Sequence, residues 1–135
     1  MKATLFIATV FAGCTSIEAA SPKVERVISG TITLRPELSR GISPSDQVVI
    51  IAKRSPGAPP VAMKKVAVGE FPLAFELTEQ DMKMDGDFVG EVELMVRIDK
   101  DGDSNTRKSG DMFGRLSAVR VGNKNAHLTV SEVLP

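Results

Sequence analysis

Residues 91–98, EVELMVRI, place Val92, Leu94, Val96 and Ile98 on one side of an extended backbone. Glu91, Glu93, Met95 and Arg97 fall on the other. That two-residue period is the signature of a half-buried strand. No window of the chain sustains a 3.6-residue apolar period, and no repeat of 20–50 residues is evident. The remaining apolar runs are short and end at turn residues. Residues 28–34 (ISGTITL) alternate with Ile28, Gly30, Ile32 and Leu34 on one face, and the RPELSRG stretch behind them reads as a turn or a single helical turn. Residues 46–52 (DQVVIIA) form a continuous β-branched run, as expected of an inner strand covered on both sides.

The loop 55–60 (SPGAPP) has three prolines in six residues and cannot be helix. Residues 61–68 alternate again, and Lys64 and Lys65 put charge where an edge strand needs it. Residues 71–77 (FPLAFEL) are a fourth strand, ending in a polar turn from Thr78 to Asp81, and 91–98 is the fifth. Residues 115–121 and 126–133 supply the last two. About seven short strands predict an all-β, antiparallel sandwich. The immunoglobulin disulfide and its Trp are absent: the chain has one Cys and no Trp.

Composition removes several functions. Lysine plus arginine and aspartate plus glutamate number 17 each, so no basic excess favours nucleic acid, and none is expected as a partner. There is no Trp or Tyr and only six Phe, which leaves few rings for stacking on bases or sugars. The core must be aliphatic. One histidine, His127, rules out a metal site or catalytic scheme needing two, and His127 itself reads as a surface or edge residue. No Ser-His-Asp order, paired catalytic carboxylates, phosphate-gripping glycine loop or CxxC is present, so an enzyme is not expected. No cofactor is expected either.

The single cysteine, Cys14, closes the N-terminal run MKATLFIATVFAGC. One positive residue, then about eight apolar or small residues, then small-small-Cys is the pattern of a bacterial lipoprotein signal. The apolar stretch is far shorter than the ~20 residues a transmembrane helix needs. The departure is Phe11, where an aliphatic residue is usual. The competing cut, an ordinary secretory cleavage after Ala19 or Ala20, would put Ile17 or Glu18 where a small residue is wanted. The reading is therefore a signal peptide over 1–13, a lipidated Cys14 with a tether over 14–24, and one domain over 25–135. It implies a membrane partner through the lipid anchor and a periplasmic location. With Thr15 rather than Asp after the cysteine, the outer membrane is favoured over the inner.

Two constellations invite a metal. Asp99, Asp101 and Asp103 in the DKDGDSN stretch have the alternate-residue spacing of the first half of a calcium loop. Counted from Asp99, the sixth position is Ser104 where Gly is wanted, and the twelfth is Gly110 where a bidentate Glu is wanted. The loop reads instead as a solvated hairpin. Its crowded charges are relieved by solvent, by Lys100, or by Arg107 and Lys108. Met82 and Met84 have the spacing of a soft-metal pair but lack further thioethers or an adjacent histidine, and read as packing.

Taken in succession, five segments resemble the C-terminal Ig-like domain of the cytochrome c-type biogenesis protein H family. They are SGTITLRP (29–36), PSDQVVIIAK (44–53), PGAPP (56–60), FPLAFEL (71–77) with DMKM (81–84), and GDMFG (110–114). The resemblance runs from about Ile28 to the end of the sequence. It implies an Ig-like sandwich without catalytic residues. It also implies envelope protein partners, including components of the machinery that attaches haem to apocytochromes. Family members generally carry this domain behind a membrane anchor and a helical-repeat (TPR) region, which holds the apocytochrome. In this sequence no helical repeat is read, and a lipoprotein-type signal stands in the anchor's place. Two other functions compete: a structural or adhesion-type envelope lipoprotein, and a calcium-dependent binding module.

Overall fold

The computed structural model describes residues 26–100 and 109–135. Eight strands form two sheets: β1 (Val27–Leu34), β2 (Gln47–Lys53), β3 (Pro60–Ala67), β4 (Leu73–Thr78), β5 (Glu91–Asp99), β6 (Met112–Arg120), β7 (Ala126–Val130) and β8 (Glu132–Val133). One sheet has the order β4-β1-β7 and the other β3-β2-β5-β6-β8. Every pairing is antiparallel except β1 with β7, which run parallel. The expected all-β sandwich is therefore present, with eight strands rather than seven. The extra one arises because 126–133 is not a single strand. It pairs with β1 as β7, breaks at Ser131, and pairs with β6 as β8. The Ser131 N–H donates to the Phe113 carbonyl at 3.2 Å, so one short passage of chain joins both sheets at that corner.

Two glycines make room for β7: Gly30 on its in-sheet neighbour β1, and Gly114 on β6 at the corner between the sheets. A Cβ added to Gly30 would lie 1.8 Å from the Ala126 carbonyl oxygen, and one added to Gly114 would lie 1.9 Å from that of Thr129. Real Cβ atoms do not come so close, so the β7 backbone can pass there only because both positions lack a side chain. The opposite corner is closed differently. The Lys64 ammonium donates to the Glu76 carbonyl at 3.0 Å, bridging β3 to β4. The backbone at Met82 and Lys83 covers the first part of the β3 edge, with Lys83 N–H donating to the Val61 carbonyl at 2.9 Å. The first part of the β3 edge is thereby closed to passing strands.

Alternation places the core as expected. Ile28, Ile32, Val48, Ile50, Phe75, Leu77, Val92, Leu94, Val96 and Ile98 meet between the sheets, joined by Leu128 and Val130. Burying side chains of this size contributes about 1.5–3 kcal/mol each. Phe88, from the loop between β4 and β5, is fully buried among them, although no strand pattern marks it. That loop is fixed from outside. Arg54 donates to the Asp87 carbonyl at 3.0 Å and also to that of Val89, while Arg26 meets Asp87 at 3.1 Å and Glu79 at 3.3 Å.

Local chemistry explains the ends of the elements. Pro36 opens a 3-10 turn, Pro36–Gly41, after β1. Thr78 caps a second, Glu79–Asp81, with Asp81 returning a bond to the Thr78 N–H at 2.8 Å, which is a reciprocal capping box. In β6 the pairing moves from Leu94↔Leu116 to Val92↔Val119, which leaves Ser117 and Ala118 as a bulge. Ala118 takes a positive φ of 55° there, a conformation that suits glycine better.

Candidate binding surfaces

With the core accounted for, chemistry can sit only at the sandwich ends or on its two outer faces. At the end where β1, β5 and β7 finish, four charged residues are buried: Asp46, Arg97, Asp99 and Asp111. Asp46 accepts the Ser43 N–H at 2.8 Å and an ion pair from Lys100, whose ammonium also donates to the Gly41 carbonyl. Asp111 accepts the backbone N–H of Lys100 at 3.2 Å. Asp99 faces the Arg97 guanidinium at 3.9 Å. Buried carboxylates persist only when such groups replace their water. The network thus ties the base of the β5–β6 hairpin to the β1–β2 connection.

Of the three aspartates with calcium-loop spacing, only Asp99 falls among the described residues. Asp99 belongs to the buried end of β5, and Asp101 and Asp103 lie outside the described residues. Lys100, one of the groups that could relieve the loop's charge, meets Asp46 in the fold. Among the described residues no group of three or more His, Cys, Asp or Glu is placed to hold a metal ion. Met82 packs against the core as expected, but Met84 does not: it is 47% exposed, in the turn that follows the bridge at Met82. Cys14 and the tether also lie outside the described residues. Among those residues no helix is long and apolar enough to cross a membrane.

The outer face of the three-stranded sheet carries a shallow groove of about 580 Å³. Ser29, Thr31 and Thr33 point outward from β1, and Ala74 and Glu76 from β4. His127 and Thr129 point outward from β7, and Asn125 precedes that strand. His127 is exposed, as the sequence suggested. Its Nδ1 lies 2.9 Å from the Thr31 hydroxyl, so the ring is held against the sheet. Thr33 donates to the Leu128 carbonyl at 3.1 Å and lies 3.3 Å from the Thr129 hydroxyl. These bonds leave a shallow surface with short, fixed, polar side chains along β1 and the longer Glu76 and Lys124 at its margins. Sequence reading missed it because serines and threonines on the outer positions of three separate strands carry no local motif.

The outer face of the five-stranded sheet is built from longer groups. Register aligns Met63, Ile51, Met95 and Arg115 in one row and Lys65, Val49, Arg97 and Phe113 in the next. Val49, Ile51 and Met95 form a second buried cluster with Met63 against it. The Arg115 guanidinium lies 5.5 Å from the centre of the Phe113 ring, within cation–π range. Met95 and Arg97 point away from the core as expected, yet each is only 5% exposed.

Two facing sheets around one hydrophobic core, with Phe75 and Phe88 joining the aliphatic residues expected there, define an Ig-like β-sandwich. The profile of the cytochrome c-type biogenesis protein H Ig-like domain matches residues 28–131, so the chain belongs to that family. It is also 26% identical over 111 residues to a protein of Aquifex aeolicus (strain VF5) described as uncharacterized, covering 81% of this chain and 73% of the relative. No solved structure matches.

Proposed function

We propose that the protein is a non-enzymatic, lipid-anchored accessory of cytochrome c maturation, bound to its partners in the cell envelope through the Ig-like sandwich. The family match carries this reading, because it spans almost the whole sandwich, from Ile28 in β1 to Ser131. The partners are proteins of the haem-ligation machinery. Cys14 supplies the anchor: acyl chains on one residue hold a membrane at about 0.8 kcal/mol per buried methylene, and several chains hold better than one. The periplasmic face of the envelope, and the outer membrane in particular, is the proposed location.

Deleting the gene should lower haem-stained c-type cytochromes, and the membrane-extracted protein should co-purify with haem-ligation components. Normal cytochrome levels together with no such partner would leave the structural or adhesion-type reading in its place. Cys14→Ala should release the protein from the membrane fraction or leave its signal uncleaved. A mature N-terminus that begins after Ala19 or Ala20 would refute lipidation.

A further inference from the structure

The outward rows of the three-stranded sheet are self-complementary. Register aligns Ala74, Thr31 and His127 across β4, β1 and β7, and places Glu76 beside Ser29. Asn125 lines the far side of the same groove. A two-fold axis running parallel to β1 would bring each row against itself reversed. Thr31 would then meet its own copy, the bulky His127 would lie over the small Ala74, and the Glu76 carboxylate would face the Asn125 amide. In the first of these two rows large meets small, and in the second acceptor meets donor, at both ends. That is the condition for an isologous interface.

We propose that this face docks a second copy of the same chain. Short Ser, Thr and Ala side chains have little rotamer freedom to lose on docking, and His127 and Thr33 are already held by hydrogen bonds. The other outer face is a poor candidate for the same operation, because Lys65 and Arg115 rise from it. The axis also keeps both β1 strands pointing the same way. Both chains therefore enter at the same end of the dimer, as two tethers rising from one membrane require. In this respect the inference rests on the proposed anchor.

The footprint is small. Three strands about 4.8 Å apart and five or six residues long cover only a few hundred Å² per copy. This lies below the roughly 800 Å² per partner of a stable complex. The dimer is therefore a weak one that depends on the high local concentration tethering provides.

Cross-linking of the full chain in membranes tests this. Facing sheets lie about 10 Å apart, beyond the reach of a disulfide, so a short bismaleimide is used. Thr31→Cys, next to the axis, should give at least five times the cross-linked dimer of wild type carrying only Cys14, and Thr33→Cys should behave alike. Lys65→Cys, on the other face, should stay at the wild-type level. Adding Glu76→Lys to Thr31→Cys should cut the yield at least threefold, and Asn125→Asp on top of both should restore it. A Thr31→Cys yield no higher than that of Lys65→Cys would overturn the proposal, as would an adduct with a different polypeptide or no response to Glu76→Lys. Fractionating the same samples keeps the two readings apart. Dimers cross-linked in soluble protein would refute both the tether and the dimer's dependence on it while keeping the interface, whereas membrane-bound protein that fails to cross-link would refute the interface and keep the tether.

Discussion

The two outer faces of the sandwich follow the same alternation and meet different fates. On the three-stranded sheet the outward Ala74, Glu76, His127 and Thr129 are exposed, and Ser29, Thr31 and Thr33 are half-buried. On the five-stranded sheet the outward Val49, Ile51 and Met95 are buried, and so are the charged Arg97 and Asp99. The difference lies in the neighbours. Lys65 and Arg97 flank Val49 in register, and Met63 and Met95 flank Ile51. Long side chains lay their methylenes over adjacent apolar groups, which threonine and serine cannot do. An outward position is thus a direction, and whether it is wet depends on the length of what stands beside it.

The sharpest way to break this comparison is at the two glycines that flank β7. Gly114→Ala or Gly30→Ala should each cost on the order of 3 kcal/mol or more, because the new Cβ strikes backbone rather than a movable side chain. Urea denaturation reads this directly, and a variant within about 1 kcal/mol of wild type would mean that β7 does not cross where described.

A smaller effect compares the faces themselves. Val49→Ala, on the outer side of β2, should cost roughly 1–3 kcal/mol, as much as Val96→Ala in the core, since both side chains are fully buried. Thr31→Ala on the other outer face should stay near 1 kcal/mol, the worth of one hydrogen bond. Equal losses at Val49 and Thr31 would erase the contrast between the faces.

Calcium bears on the buried charges at the sandwich end. With the Lys100 ammonium on Asp46 and Arg97 facing Asp99, millimolar calcium should raise the melting temperature by less than about 2 °C. A rise of ~5 °C or more, lost in Asp101→Asn, would bring the calcium module forward.

The smallest change expected is a gain. Ala118 sits at a φ of 55° in the β6 bulge, where an L-residue costs about 1–2 kcal/mol. Glycine relieves that and loses about 0.5–1 kcal/mol of chain entropy. Ala118→Gly should therefore be neutral or stabilising by up to about 1.5 kcal/mol. A clear loss of stability would show that the bulge depends on the alanine methyl.

What the sequence determined was local. Alternation at 28–34 and 91–98, the β-branched run at 46–52 and the turn residues between them specified strands, inward faces and an all-β class, because those signals act over a few residues of extended backbone. The succession of turn and strand chemistry was also enough to point to the family. Everything that required two distant segments to meet was decided by the tertiary structure. The parallel pairing of β7 with β1 split 126–133 into two strands, and nothing within those eight residues specifies a partner for each half. Gly30 fits an ordinary strand position until the Ala126 backbone arrives against it. Phe88 lies in a loop and becomes core only when Arg54 and Arg26 hold that loop down. Arg97 reads as outward-facing, and the strand and turn segments that hold Asp46 and Asp111 do not mark either for burial, yet folding takes all three out of water. Secondary structure follows from the chain's own torsions and hydrophobic period. Burial and pairing depend on the field of neighbours, and that field exists only once the sheets have closed.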